Sequence, residues 1–445
     1  MKTDSNPFRI VVAPPPADWW HIPSMQDEIA YYAQQGWTWT SADRNFDFAD
    51  SPNPLPSWSI VEPNKRDIHG DFEGDDLWVW QQQIHRGYTD PALIEDAAQR
   101  LIPVLWRDRW LQYYKESYLP HGLMTNDYYG DSTENHGDMC HVFIHGLCLY
   151  GVKENDQAAI DTAGDIMDHA QSVILRRHGA TYPLPTSAVS RMPARIGEML
   201  CHLVEATGAQ KWIDWRDQFI ELFVNSSNWM EAPAMGMVAG TGFYHRTLSE
   251  AEATGGWNGY TLDDWNAGIR LEQTFYVALE AQFLWYAHKQ TGRADVRSRL
   301  IKLAYFVLHY GVDPSHAIPL CGHRFGHDNG AVYHQQANGQ SFAGYDFGVV
   351  NLLVWGYKLT GDAALLACAK LHFRQASKYR EGYPVNYGAP SYTGTGHHCA
   401  DSEVWSFLDV RGTSSSGYQY FTWDKGALQH AYAIFENGGD PEILP

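Results

Sequence analysis

Asn135 and His136 stand side by side at the head of the apolar run ENHGDMCHVFIHGLCLYG, where a helix would begin. Arg191 and Arg195 head a second such run, and Tyr244-His245-Arg246 sits in the long stretch before a third. Together these residue types could remove a proton beside a carboxylate. The C5 proton of a uronate is weakly acidic until its carboxylate is neutralised. Elimination then needs Asn, Arg or protonated His on the carboxylate, a base for the proton, and an acid for the departing oxygen. Asn135 is the candidate neutraliser, with Arg195 or Arg246 assisting. His136 or His245 is the candidate base, and Tyr244 either base or acid. The plainer reading is that Asn135 caps the helix and the histidines bond loop carbonyls.

The heads of the remaining apolar runs carry more groups of the same kind. These are Asp75-Asp76, Asp138, Trp265-Asn266 with Arg270, Tyr345-Asp346 and Trp423-Asp424-Lys425. Loops add His323-Arg324, His327-Asp328 and His397-His398. Aromatic faces stack on pyranose rings, and planar polar groups grip hydroxyls and carboxylates. Arg191, Arg246, Trp265, Asn266, Arg270, His323, Arg324, Tyr345, Asp346, His397 and Trp423 are therefore candidate contacts to a polysaccharide or oligosaccharide.

Hydrolysis is the competing chemistry. It needs two carboxylates about 5–5.5 Å or about 6.5–9.5 Å apart, and Asp75, Asp76, Asp138, Asp263, Asp264, Asp346, Asp401 and Glu403 are candidates. Acidic residues at helix starts are also ordinary caps. His141 and His145 have the i, i+4 spacing of a two-histidine metal site, but H-V-F-I-H lacks the Glu of H-E-x-x-H. His323, His327, Asp328 and His334, or His397, His398 and Cys399, could hold a divalent ion or touch substrate. The expectation is no cofactor, with a divalent metal as the alternative. G-x-S-x-G, P-loop and strand-borne G-x-G-x-x-G motifs are absent.

These residues need a scaffold, and the chain repeats one. An almost wholly apolar run ends in a short polar turn, and an amphipathic run follows. The turns are Asn155-Asp156, Thr207-Gly208, Thr291-Gly292 and Thr360-Gly361-Asp362, with a weaker copy at Thr89-Asp90-Pro91. Gly or Asn closes the first helix in a left-handed cap. The apolar helix of each pair should be buried all round and the amphipathic one half exposed. Side by side, such hairpins give an inner and an outer row. Segments near 24–35 and 426–436 should close the ring, giving about six hairpins. The expected class is all-α, with 1–70 as an arm with a ring-closing helix and 71–445 as the helical domain. Long Gly- and aromatic-rich stretches at 226–264 and 311–345 should lie at one mouth, and loops of that length are usually functional.

Composition narrows the partners. Lys and Arg number 32 against 52 Asp and Glu, so the net charge is 32 − 52 = −20. That disfavours nucleic acid and anionic membrane as main partners, which select a basic footprint. No run reaches the roughly 18–20 apolar residues of a bilayer span. The 6 cysteines contain no C-x-x-C pair, which reads as reduced thiols rather than a disulfide scaffold. The N-terminus shows no apolar secretory h-region. A cytoplasmic, virion-associated or trimmed secreted protein would each fit.

The helix, Thr-Gly-Asp, helix turn resembles that of the (α/α) toroid superfamily of carbohydrate-active enzymes. The adjacent Asn135-His136 is similar to the pair in alginate-lyase-like toroids, which then carry an Arg and a Tyr about one hairpin later. Arg191 and Arg195 occupy the corresponding helix start, and Glu198 and His202 stand where the Tyr would be. The resemblance implies a polysaccharide lyase acting on a uronate-containing polymer. Glycoside hydrolysis on the same scaffold is the second expectation, and a non-catalytic glycan-binding or surface module the third.

Overall fold

The computed structural model describes residues 38–40, 45–47, 144–178, 189, 191–252, 260–313, 318–319, 324–335 and 344–380. The chain divides into two compact units. One comprises Met1–Gly137, Phe143–His169 and Cys399–Pro445; the other comprises Asp138–Val142 and Ala170–His398.

In the first unit, β1 (Thr38–Thr40) and β2 (Asn45–Asp47) pair antiparallel, with Trp39 opposite Phe46. The hairpin expected at Asn155-Asp156 is present. Helix α1 (His145–Lys153) is buried from His145 to Gly151. Asn155 takes a left-handed φ of 54°. The Asp156 carboxylate then accepts from the backbone N–H of Ala158 at 2.9 Å, capping α2 (Gln157–His178). The last residues of α2 belong to the second unit.

The second unit holds three more of the expected hairpins. They are α3 (Arg191–Thr207) with α4 (Gln210–Val224), α7 (Thr274–Thr291) with α8 (Ala294–Tyr310), and α9 (Gly344–Thr360) with α10 (Ala363–Arg380). One turn is built three times. The Thr207, Thr291 and Thr360 hydroxyls donate to the carbonyls of Leu203, Ala287 and Gly356 at 2.7, 2.7 and 2.8 Å. Each also accepts a backbone N–H two residues on, from Ala209, Arg293 and Asp362. The glycine between them is left-handed each time, at φ 61°, 64° and 75°. The Thr thus satisfies a carbonyl that the helix end would orphan, and the Gly reverses the chain at little steric cost.

The first helices pack on one another, α7 lying against both α3 and α9, while each second helix packs on its partner. This is the inner-and-outer order of an (α/α) toroid, and the class is all-α as expected. Helix α7 is buried continuously from Val277 to Ala281 and from Phe283 to Ala287, so no amphipathic stripe survives. Helix α8 buries one stripe, Val296, Leu300, Leu303, Ala304, Phe306, Val307 and Tyr310. Gly197 of α3 lies so close to the Phe283 ring that an added Cβ would meet it at 2.7 Å. Trp285 of α7 stacks on Trp355 of α9 at 5.1 Å. The described cysteines, Cys148, Cys201 and Cys368, are buried free thiols. Among the described residues no helix is long and apolar enough to cross a membrane.

The stretches between hairpins hold more order than expected. β3 (Trp229–Glu231) pairs with β4 (Gly242–Tyr244). Two short helices, α5 (Leu248–Glu252) and α6 (Leu262–Asn266), precede β5 (Ile269–Gln273), which runs directly into α7. After α8, β6 (Val312–Asp313) pairs with β7 (Ile318–Pro319). β8 (Arg324–Asp328) and β9 (Ala331–Gln335) form a hairpin that adds β8 to β5, giving the order β5-β8-β9. Asn329-Gly330 turns the hairpin with φ values of 44° and 91°, a pair that Asn and Gly adopt readily. The weaker hairpin at 89–91 and the ring-closing segments at 24–35 and 426–436 lie outside the described residues.

Candidate functional site

The described candidates gather where β4, β5 and β8 meet ahead of α7. Asn228 fixes the approach. Its side-chain amide donates to the carbonyls of His245 at 2.9 Å and Val189 at 3.0 Å. The chain then continues beside β5, with the Arg246 N–H bonded to the Leu271 carbonyl at 3.0 Å. His245 and Arg246 are thereby held against the sheet by main-chain bonds on both sides.

Arg246 is buried. Its Nε donates to Glu272 Oε1 at 2.8 Å and its Nη2 reaches the same oxygen. Nη1 donates to Glu250 Oε1 at 3.0 Å, and the guanidinium lies 3.9 Å from the Tyr276 ring. Glu272 Oε1 also accepts the Gln273 N–H at 2.6 Å, while Oε2 has no bond. Eight residues on, Glu280 is fully buried, with neither carboxyl oxygen bonded among the described residues. Burial lifts Glu272 to about 8 against the pull of Arg246, and lifts Glu280 well above the carboxylate range, with Glu272 adding to it. Burial thus favours the protonated form of both carboxyls, and the charge of Glu272 adds to that at Glu280.

On the solvent side of this pair, the Arg270 guanidinium lies 3.5 Å from the Trp265 ring centroid. Its Nη1 donates to the carbonyls of Trp265 and Ile269 at 2.9 and 2.8 Å. Short α6 presents Trp265; Thr261 and Asp264 close a capping box that starts it. The His245 Nδ1 lies 2.7 Å from the Arg246 carbonyl, so Nδ1 carries the proton and Nε2 a lone pair. Its ring is 5.8 Å from Trp265. Burial, the largest effect, holds His245 and His327 down at about 4, with the positive charge of Arg270 adding to it at both, so both are neutral imidazoles.

The structure thus brings together His245, Arg246, Trp265 and Arg270 from the expected set. Asn266 is exposed beside them, at the end of α6. Tyr244 departs from the expectation. It points into the core, and its hydroxyl donates to the Phe223 carbonyl at 3.0 Å. Its ring packs edge-on against Phe223 and Trp229, and burial drives its pKa up, away from any acid-base role near neutrality. An alternation in which Phe243 also faces inward makes Tyr244 part of a fully buried strand. Arg195 sits further along α3, buried, 3.3 Å from Glu198, with His202 3.9 Å from the same carboxylate. Arg191 is the first residue of α3. Arg324 begins β8, and Tyr345 and Asp346 lie in the first turn of α9; their side chains are not described. Asn135, His136, His323, His397 and Trp423 lie outside the described residues. So do Asp75, Asp76, Asp138, Asp401 and Glu403; Asp263 is exposed and Asp264 serves the cap. His145 is buried at the start of α1, and among the described residues no three His, Cys, Asp or Glu side chains converge as a metal site.

Sequence reasoning missed Glu272 and Glu280. The signal was available, since YVALEAQFLWYA places a lone carboxylate inside an otherwise apolar run. Acidic residues are almost never fully buried without a partner, so such a residue marks a special site.

No family model matches the chain, and no curated protein matches it in sequence. Solved structures do. A cellobiose 2-epimerase from Bacillus thermoamylovorans superposes with a TM-score of 0.42 at 12% identity, covering 72% of this chain and 77% of that one. An α-1,6-mannanase of glycoside hydrolase family 76 from Salegentibacter sp. gives 0.39 at 11% identity, over 74% and 99%. A family 76 mannosidase from Bacteroides thetaiotaomicron gives 0.40 at 11%, over 74% and 98%.

Proposed function

We propose that the chain is a carbohydrate-active enzyme that cleaves a glycosidic bond by hydrolysis, and that elimination is the lesser reading. The observation that carries this is the aromatic and cationic shelf of Trp265, Arg270 and His245, which suits a sugar and is backed by the buried carboxyls Glu272 and Glu280. Glu250, partly exposed and bonded to Arg246, offers a carboxyl beside that shelf. Glu272 and Glu280 are fully buried, so their part is to set the charge of the shelf through Arg246 rather than to touch the sugar. Trp265 offers a partly exposed ring to a pyranose face, and His245 Nε2 a lone pair to a hydroxyl. Of the groups considered for elimination, Tyr244 is sealed in the core. The proposed chemistry uses side chains alone.

The test is to incubate the protein with neutral and uronate-containing polysaccharides and follow reducing ends beside the ultraviolet absorbance of an unsaturated uronate. Reducing ends without absorbance are expected. Absorbance rising in step with reducing ends would overturn hydrolysis in favour of the lyase.

A further inference from the structure

Arg270 and His327 are directly opposed in the β5–β8 ladder. Opposed residues of an antiparallel pair leave the same face of the sheet, with their Cβ atoms about 4.5–5.5 Å apart. Glu272 and Phe325, the next pair of that face, are also opposed. A sheet face turned onto α8 through Phe325 and Phe306 would ordinarily be apolar. Here it carries a cation, an imidazole and a carboxyl.

The hydrogen bonding on this face is incomplete. His327 is fully buried, and neither ring nitrogen has a partner among the described residues. It packs edge-on to Phe243 at 5.8 Å and to Tyr310 at 5.9 Å. His245 packs on the other end of the same Phe243 ring, at 6.1 Å. Its Nδ1 is committed to the Arg246 carbonyl, and no bond to Nε2 is found among the described residues. Arg270 has main-chain carbonyls, the Trp265 ring and the Tyr260 hydroxyl around it, and no carboxylate among the described residues. Glu272, the acid of its own face, is occupied by Arg246. Among the described residues the cluster therefore has one positive charge unmatched locally, a donor unused on His327 and an acceptor unused on His245. Buried polar groups are almost always paired, so an unpartnered imidazole behind a partly exposed cation points to a guest at that cation.

We propose that Arg270, His245 and Trp265 form a subsite for a sugar bearing an oxyanion, with the anion on Arg270, a neighbouring hydroxyl donating to His245 Nε2, the ring against Trp265, and the fully buried His327 backing Arg270 without touching the guest. The shared chemistry is an anionic group beside a hydroxyl, as in a uronate or a sugar phosphate. A guanidinium held on carbonyls presents its remaining donors in a fixed plane, which suits carboxylate and phosphate oxygens. An acidic chain accepts such a ligand because the matching positive charge is local. The inference deepens the carbohydrate reading above by naming the class of sugar, and it rests on that reading.

The experiment is calorimetric binding to the full chain, without turnover, of glucuronate, glucose 6-phosphate and glucose. At least tenfold tighter binding of one or both acids than of glucose is expected, and the better acid identifies the source of the anion. Arg270→Gln should remove that preference while its thermal melting stays close to the parent. Equal binding of all three sugars would overturn the inference, as would binding of none. An acid preference that survives in folded Arg270→Gln would overturn it too. Cleavage of a neutral glycan with no acid preference would sink this subsite and leave the hydrolytic reading standing. Acid-selective binding without cleavage of any polysaccharide would support the subsite and count against hydrolysis.

Discussion

Arg246 and Glu272 form a fully buried ion pair that ties the segment after β4 to the strand entering α7. Two guanidinium nitrogens converge on one carboxylate oxygen, leaving the other oxygen without a donor. Removing one member of such a pair strands the other in a dry site. Arg246→Gln is therefore expected to cost about 3–5 kcal/mol of unfolding free energy, the usual cost of breaking a buried pair. Urea unfolding measures it. An unchanged midpoint with an unchanged slope would mean that the pair contributes nothing to holding the strands.

The same carboxyls make stability depend on pH. Glu272 and Glu280 have folded pKa values raised above the ordinary 4.5, Glu272 to about 8. The folded state then binds more protons than the unfolded one between about 4.5 and 8, so stability falls as pH rises through that window. His245 and His327 act in the opposite sense. Their folded values of about 4 lie below the ordinary 6.5, so they favour the folded state above 6.5 and lose that effect as pH drops toward 4. Below 6.5 the two pairs oppose each other; above it only the carboxyls act. Thermal melting should fall from pH 6.5 to pH 8, and Glu280→Gln should flatten that slope. A flat parent profile over the same interval would show that neither carboxyl keeps its proton.

The scaffold was legible in the sequence because its signals are local and repeated. Thr207-Gly208, Thr291-Gly292 and Thr360-Gly361 announce three hairpins, and each Thr makes the same two hydrogen bonds. The strands between hairpins were not recognised, although Asp328-Asn329-Gly330 is a strong hairpin signal. Length misled there, since five-residue strands in Gly-rich surroundings read as loop. The site was only partly legible for a different reason. Trp265 and Arg270 are adjacent enough in sequence to be read together, but the pairing of Arg270 with His327 depends on a strand register across 57 residues, counted from 270 to 327. Nothing local specifies it. Tyr244 misled because its neighbours His245 and Arg246 do face the shelf.

The repeated turn gives a prediction on its own. Gly292 has φ 64°, a conformation that costs a residue with a Cβ about 1–2 kcal/mol. Nothing lies within 4 Å of where that Cβ would go, so backbone conformation is the whole effect. Gly292→Ala should therefore destabilise by about 1 kcal/mol, and Thr291→Val by a similar amount through lost hydrogen bonds. Because both changes act on one turn, the double variant should cost less than the sum. Full additivity in chemical unfolding would show that the two residues act independently.

Gly197 tests how closely α3 and α7 approach. An alanine there would put its Cβ 2.7 Å from the Phe283 ring, which is itself wedged edge-on against Phe223 at 4.7 Å. The ring is fully buried, so Gly197→Ala should destabilise by about 1–3 kcal/mol despite the better helix propensity of alanine. Shrinking Phe283 to Leu in the same chain should recover part of the loss. A single Gly197→Ala variant as stable as the parent would mean that the two inner helices are further apart than this.

Tyr244→Phe separates the two chemistries most directly. The hydroxyl donates to the Phe223 carbonyl in the last turn of α4, one of the carbonyls a helix end leaves without an intrahelical partner. Losing that donor should cost about 1 kcal/mol of stability, the net worth of an ordinary hydrogen bond. Phenylalanine fills the same space, so the packing against Phe223 and Trp229 survives and the β4 backbone that carries His245 stays in place. Turnover on whichever polysaccharide is cleaved should then match the parent at a temperature where both are folded. A tyrosine serving as base or acid in elimination would give the opposite result, since its phenol is the only part removed. Loss of cleavage with melting lowered by no more than a few degrees would return Tyr244 to the chemistry and revive the lyase.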